Sequence, residues 1–222
     1  MFPTPSTSHA DYDKVYEPSE DTFLFLDLLQ EELPFLQRRF SDLSILGSPL
    51  VLELGSGSGV VVTFFHNHIL PDALFLGTDI NPEACKTALE TSKVNNGTRY
   101  FDVLRTNICD SLRPNSIDVL LFNPPYVPAD TLGSYESSVK SGDWLDFALL
   151  GGEDGMRITN VVLDQLDNIM SRERGVAYIL FCFRNKPDEV SQAMRAKGWT
   201  VTKIGERKVR WEILSILRFE KE

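Results

Sequence analysis

At 222 residues, with 42% hydrophobic and 24% charged residues, the chain has the makeup of an ordinary globular domain, long enough for one continuous core. Its 32 acidic residues against 22 lysines and arginines leave a formal net charge of −10, which opposes phosphate backbones and disfavours a duplex-binding function. Cys85, Cys109 and Cys182 share no C-x-x-C spacing, so neither a disulfide framework nor a metal site is expected.

Met1–Asp13 is rich in Pro, Ser and Thr and lacks the apolar core of a secretory leader. The expected location is therefore the cytosol, with the nucleus as a second compartment. A helical pattern follows Tyr16-Glu-Pro-Ser-Glu-Asp-Thr22, with Phe23, Leu26 and Leu29 on one face and Pro34 interrupting it before Phe40. Ser19 or the acidic residues after it are expected to cap it, and Glu20 and Asp21 read as first-turn acids that suit the helix dipole. Residues 1–40 are read as an N-terminal extension whose helix contributes to a ligand pocket, and 41–222 as the main domain. Ser41–Pro49 is a linker.

Val51–Leu54 is an apolar, strand-like run that leads into Gly55, Gly57 and Gly59, and Val60–His68 reads as a helix. His66 and His68 lie two apart on that helix, on different faces, so they make a poor metal clamp. Ala73–Thr78 is a second strand ending at Asp79, and Asn81-Pro82 opens a helix that Asn96-Gly97 stops. Phe101–Arg105 and Ile117–Phe122 are further strands, the second ending at Asn123-Pro-Pro-Tyr126. Val127–Gly155 reads as a long irregular stretch in which Gly151-Gly152 is a flexible joint and Asp130, Glu136 and Asp143 are solvated acids. Ile158–Met170 is a helix, Gly175–Phe183 a strand, Pro187–Lys197 a helix. Trp199–Ile204 and Glu212–Phe219 are strands joined by the basic turn Gly205–Arg210. The alternation predicts a doubly wound, mostly parallel, seven-stranded Rossmann-like α/β sheet with a C-terminal antiparallel hairpin at its edge.

Three signals converge on one crevice. Glycines at alternate positions permit positive φ and let a ligand approach the backbone, although G-x-G-x-G is not the dinucleotide spacing. Asp79 lies 22 residues beyond Gly57 at a strand end, where an acid can accept hydrogen bonds from ribose hydroxyls; a simple capping role is the alternative. No P-loop lysine follows the glycines, so an adenosine ligand without pyrophosphate fits, and Glu53 suits a cationic portion of it. The side-chain carbonyl of Asn123 and the backbone carbonyl of Pro124 can accept both hydrogens of a planar NH2 group, on whose face Tyr126 can stack. In isolation Asn-Pro-Pro is only a turn starter. At the end of the fourth strand it becomes a clamp facing the glycine loop.

Taken together, Gly55–Gly59, Asp79 and Asn123-Pro-Pro-Tyr126 resemble class I S-adenosylmethionine-dependent methyltransferases that act on planar nitrogen. Tyr16-Glu-Pro-Ser-Glu-Asp-Thr-Phe, Thr78-Asp-Ile-Asn-Pro82 and Phe122-Asn-Pro-Pro-Tyr-Val127 are similar to the HemK-like branch, and more narrowly to the eukaryotic release-factor glutamine methyltransferases, over nearly the whole chain. The resemblance implies S-adenosylmethionine as cofactor and, as substrate, the glutamine of the Gly-Gly-Gln loop of a class 1 translation termination factor, methylated at N5. It implies that Tyr16 and Thr22 line the cofactor pocket, that Glu53, Gly55 and Gly57 hold the methionine end, and that Asp79, with Ile80 beside it, holds the ribose. Asn107 and Ile108 stand where relatives often place an aspartate at the adenine amine. Asn123, Pro124, Pro125 and Tyr126 grip the glutamine amide, Asn123 also bordering the cofactor. It further implies a small zinc-binding activator protein as heterodimer partner, for which Phe101–Arg105 is the candidate edge.

Two rival activities use the same clamp. Adenine-N6 methylation of DNA is opposed by the acidic balance and by a core that leaves little of this sequence for a separate target-recognition domain. Protein lysine methylation needs a base to deprotonate the ammonium, and no dedicated one is evident. A cofactor-binding scaffold without catalysis would leave Asn123 dispensable.

Overall fold

The computed structural model describes residues 1–41, 47–97, 100–130, 138–139, 141–142 and 144–221. Two helices lead the chain, α1 (Glu20–Glu31) and α2 (Leu33–Arg39). Pro34 sits in the first turn of α2, where its missing N–H costs no helical bond. Then come β1 (Leu50–Leu54), α3 (Val60–His68), β2 (Leu74–Asp79), α4 (Pro82–Val94), β3 (Phe101–Arg105) and β4 (Val119–Phe122). The rest comprises α5 (Leu145–Leu149), α6 (Arg157–Ile169), β5 (Val176–Cys182), a 3-10 turn (Phe183–Asn185), α7 (Pro187–Ala196), β6 (Trp199–Val209) and β7 (Glu212–Lys221). The linker Ser41–Pro49 falls partly, and the acids Glu136 and Asp143 wholly, outside the described residues.

Among the described residues the strands form one seven-stranded sheet in the order β3-β2-β1-β4-β5-β7-β6. All neighbours are parallel except β5–β7 and β6–β7. The central strands are buried on both faces, which accounts for apolar runs such as Val119–Phe122 and Val176–Cys182 with no polar alternation. One face packs on α1, α2 and α3 through Leu24, Phe25, Leu29, Phe65, Val51 and Tyr178. The other packs on α6 and α7 through Val162, Leu166, Met194, Leu52, Leu120 and Phe181. At the amino edge of the sheet the Arg174 guanidinium grips both oxygens of Asp118 at 3.0 Å, and Asp118 also accepts from the Leu50 N–H at 2.9 Å. This buried fork ties the linker, β1, β4 and β5 at one point.

Register places the site. Thr78, Leu54 and Phe122 form one transverse row across β2, β1 and β4. Asp79, Gly55 and Asn123 therefore emerge side by side at the carboxyl edge, where the strand order reverses and ligand crevices form in such sheets.

Three expectations are corrected. The stretch Val127–Gly155 is not irregular throughout: it contains α5, and Val127 bridges Leu150. The segment Gly205–Arg210 is mostly strand, not turn. The hairpin closes at Arg210-Trp211, and Gly205 lies at the bulge between Lys203 and Gly205, where a Cβ would strike Leu28 of α1. Glycine here marks a close approach of helix to strand, a signal easily mistaken for a turn. Finally, β4 starts at Val119, and Ile117 makes only an isolated bridge to Met170.

Candidate active site

The crevice at the carboxyl edge opens into a cavity of about 1110 Å3. That exceeds the roughly 300–1,000 Å3 typical of a single drug-sized ligand, leaving room for two reactants. The β1–α3 loop forms its floor. Gly55, Gly57 and Gly59 adopt φ of +63°, +51° and +73°, so the loop depends on glycine at all three positions. A Cβ on Gly59 would also lie 2.6 Å from the Ala88 Cα of α4. Glu53 is buried beneath this loop and accepts a hydrogen bond from the Val62 N–H in the first turn of α3 at 3.2 Å. Burial pushes its carboxyl well above the usual range, against the Val62 hydrogen bond, and the neighbouring Asp79 adds to the rise.

Asp79 is not a helix cap. That role belongs to Asn81, whose side chain accepts from the Glu83 N–H at 2.9 Å. Asp79 accepts instead from the Gly57 N–H at 2.9 Å and the Asn81 N–H at 2.8 Å, locking the glycine loop to the end of β2. Its carboxylate also takes a backbone hydrogen bond from Ile80, and these bonds do not use all of its lone pairs. Burial raises its carboxyl above the ordinary value, opposed chiefly by the Gly57 hydrogen bond. Two buried acids in one cleft favour a ligand that brings positive charge and hydroxyl donors. Ile80, Asn107 and Ile108 line the adjoining wall; Ile108 has φ +49°, and the Asn107 amide leans toward Asp110 at 3.4 Å.

Opposite lies Asn123-Pro-Pro-Tyr126. The Asn123 Nδ2 donates to Asp21 Oδ2 at 3.1 Å, while its Oδ1 is buried with no hydrogen-bond partner among the described residues. Because a carboxylate accepts and does not donate, Asp21 fixes which way the amide faces. An orphaned buried carbonyl oxygen at a cavity wall is costly unless a donor arrives.

Asp21 is the functional residue that sequence reasoning missed. Glu20 is indeed an exposed first-turn acid, but Asp21 is buried. Besides Asn123, it accepts from the Thr22 N–H at 2.7 Å, the Thr22 hydroxyl at 3.2 Å and the Tyr16 hydroxyl at 3.2 Å to each oxygen. Tyr16 and Thr22 thus line the cavity with their hydroxyls turned toward Asp21. The available signal was the position of Asp21 between two residues already assigned to the pocket. Burial, with Asp21 next in effect, pushes the Tyr16 phenol up, and the Tyr126 phenol behaves alike.

Gly151-Gly152 is not a flexible joint. The Gly151 N–H donates to the Val127 carbonyl at 2.8 Å and the Ala129 N–H to the Gly152 carbonyl at 2.9 Å. A Cβ on Gly151 would strike the Pro125 carbonyl, and one on Gly155 the Tyr126 carbonyl. The 151–155 segment therefore braces the backbone of the clamp. From the other side Asn185, buried in the 3-10 turn, donates to the Tyr126 carbonyl at 3.4 Å and the Asp154 carbonyl at 3.1 Å. Trp144 and α5 complete the cavity wall.

Residues 36–134 match the family model of the methyltransferase small domain. The human methyltransferase HEMK2 is 34% identical over 228 residues, spanning 99% of this chain and 97% of that protein. The Schizosaccharomyces pombe eRF1 methyltransferase catalytic subunit mtq2 is 35% identical over 231 residues, spanning 98% and 95%. Among solved structures, the E. cuniculi Mtq2–Trm112 complex, responsible for methylation of the eRF1 translation termination factor, superposes with a TM-score of 0.67 at 25% identity, covering 94% of this chain and 99% of that one. With its glycine loop, buried acids and Asn-Pro-Pro-Tyr clamp in one crevice, the chain belongs to the HEMK2/Mtq2 family of methyltransferases, with S-adenosylmethionine as methyl donor.

Proposed function

We propose that this enzyme methylates the side-chain nitrogen of the glutamine in the Gly-Gly-Gln loop of a eukaryotic class 1 translation termination factor. The observation that carries the reading is the amide of Asn123, a residue that lines the cavity: its nitrogen is committed to Asp21 and its oxygen is buried without a hydrogen-bond partner among the described residues. A donor-bearing planar NH2 group satisfies it. The cavity fits the methyl donor too. Glu53 matches an ammonium, Asp79 retains lone pairs for ribose hydroxyls, and the glycine loop admits close backbone approach.

When bound, S-adenosylmethionine supplies an electrophilic methyl on a positively charged sulfur. The chain's own residues must make a poor nucleophile react, because the amide lone pair is delocalised. Asn123 Oδ1 and the Pro124 carbonyl accept the two amide hydrogens and hold the nitrogen in one orientation, replacing encounter by placement. The same two acceptors stabilise the positive charge that grows on nitrogen during transfer. Burial holds the Glu53 carboxyl well above the usual range, and a cationic group placed beside it favours the ionised form. The surplus proton leaves to solvent after transfer, and no dedicated base is needed.

The reading includes a small zinc-binding activator protein as partner. It is supported by the Mtq2–Trm112 complex of the relative and by β3 lying at the edge of the sheet, with Phe101, Val103 and Leu104 only partly covered and Tyr100 exposed. An open edge strand is a template for another chain.

The test is transfer of radiolabelled methyl to a purified termination factor, its Gly-Gly-Gln→Gly-Gly-Ala variant and duplex DNA, with and without the activator. Label confined to the wild-type factor and dependent on the activator is expected. Label on DNA, or equal label on the variant, would refute the substrate assignment.

A further inference from the structure

The last paired row between β5 and β7 is Cys182↔Leu214, yet β6 and β7 continue through Lys208↔Ile213 and Val209↔Glu212 before turning at Arg210-Trp211. The hairpin thus overhangs the carboxyl edge of β5, on the side of the sheet edge where the clamp lies. Glu212 is close enough to act electrostatically on both Tyr16 and Tyr126. The overhang is anchored at its base: Arg207 pairs with Asp27 of α1 at 2.5 Å, and Val209 packs on the core.

What it presents to solvent is unusual for a tight turn. Trp211 is 92% exposed and Phe183, which starts the 3-10 turn packed against β7, is 65% exposed. Ile213 and its cross-strand partner Lys208 are exposed as well. Tryptophan on a two-residue turn contributes nothing to the core and exposes apolar surface at some cost. Lys208, Arg210 and Arg184 are exposed and have no ion-pair partner among the described residues. In a chain of net charge −10 this is a local reversal of sign. Tryptophan and arginine are the residues that most often dominate binding at protein interfaces. A phosphate backbone is disfavoured as occupant by the surrounding acidity.

We propose that the hairpin tip, Trp211 with Lys208, Arg210 and the neighbouring Phe183 and Arg184, is the docking rim for the protein substrate, engaging an acidic, partly apolar surface that flanks the target glutamine. The inference rests on the protein-substrate reading above. It assigns binding of the folded substrate to the hairpin and leaves chemistry to Asn123 and its neighbours. None of these tip residues lines the cavity, so a short peptide that fills only the cavity is not held by the tip.

The experiment uses the enzyme with its activator and compares the intact termination factor with a synthetic peptide spanning the Gly-Gly-Gln loop. Trp211→Ala raises KM for the factor about tenfold or more, in the range of interface anchors. It leaves kcat on the factor, kcat/KM on the peptide and cofactor affinity within about twofold. The double variant Lys208→Glu/Arg210→Glu raises KM further and flattens its dependence on salt. An unchanged KM for the factor in both variants, with wild-type enzyme active, overturns the docking rim alone. Wild-type enzyme that fails to label the factor overturns the substrate reading and the rim with it. Loss of a wild-type self-association in Trp211→Ala, without a change in KM, would assign the tip to a second copy of the chain and also overturn the proposal.

Discussion

Removing the Asp21 carboxylate tests the geometry of the clamp without touching the clamp itself. In Asp21→Ala the Asn123 Nδ2 loses its acceptor at 3.1 Å, and Tyr16 and Thr22 lose theirs. Nothing then distinguishes the two faces of the Asn123 amide, which can rotate and present N–H to an incoming NH2, donor against donor. A hydrogen bond to a charged partner contributes about 1.5–3 kcal/mol. At about 1.36 kcal/mol per tenfold, kcat should fall about 10- to 150-fold if orienting Asn123 is needed for the transition state. Asp21→Asn keeps an acceptor for Asn123 and should recover about a third to a half of that free energy, a neutral bond contributing about 0.5–1.5 kcal/mol. The assay is methyl transfer at saturating S-adenosylmethionine, with cofactor affinity from calorimetry and folding from thermal melts. Equal losses in the two variants, or Asp21→Ala turning over within twofold of wild type, would refute the orienting role.

Gly155→Ala must push its new Cβ into the Tyr126 carbonyl and adopt φ near +73°; a loss of about 1–3 kcal/mol of stability should accompany a fall in kcat, and a crystal structure would show the clamp displaced. Asp118→Ala strands the buried Arg174 guanidinium. That should cost about 3–5 kcal/mol, or a drop in melting temperature of about 2–4 °C per kcal/mol, with kcat unaltered below the new midpoint. Glu53 has its folded value raised above the ordinary 4.5, so between the two values the folded state binds more protons than the unfolded state. Its contribution to stability of the ligand-free enzyme is therefore present below pH 4.5 and lost as pH rises through the raised value. Cofactor binding, which favours the ionised form, should strengthen over that upper range, and Glu53→Gln should abolish the trend in a titration of affinity against pH.

Local chemistry is what made the sequence informative. Glycines at 55, 57 and 59, Asn81-Pro82 and Asn96-Gly97 mark backbone conformations or helix ends that few other residues support, so β1, α3 and α4 were delimited to within a residue or two. The buried strands were legible because both faces of a parallel sheet are covered and their apolar runs are unbroken. The clamp was legible because Asn, two prolines and Tyr are adjacent in the chain. The long-range pairings were not. Whether Asp21 is a surface acid or the anchor of Asn123 depends on 102 residues of separation being closed, which no helical pattern reports. Gly151-Gly152 was read as a joint and Gly205 as part of a turn, because a missing Cβ looks the same in sequence whether it frees the backbone or admits a neighbour. Composition and spacing determined the elements and the chemical groups available. Only the register of β2, β1 and β4, which sets Asp79, Gly55 and Asn123 side by side, and the burial that followed from it decided which of those groups became a site.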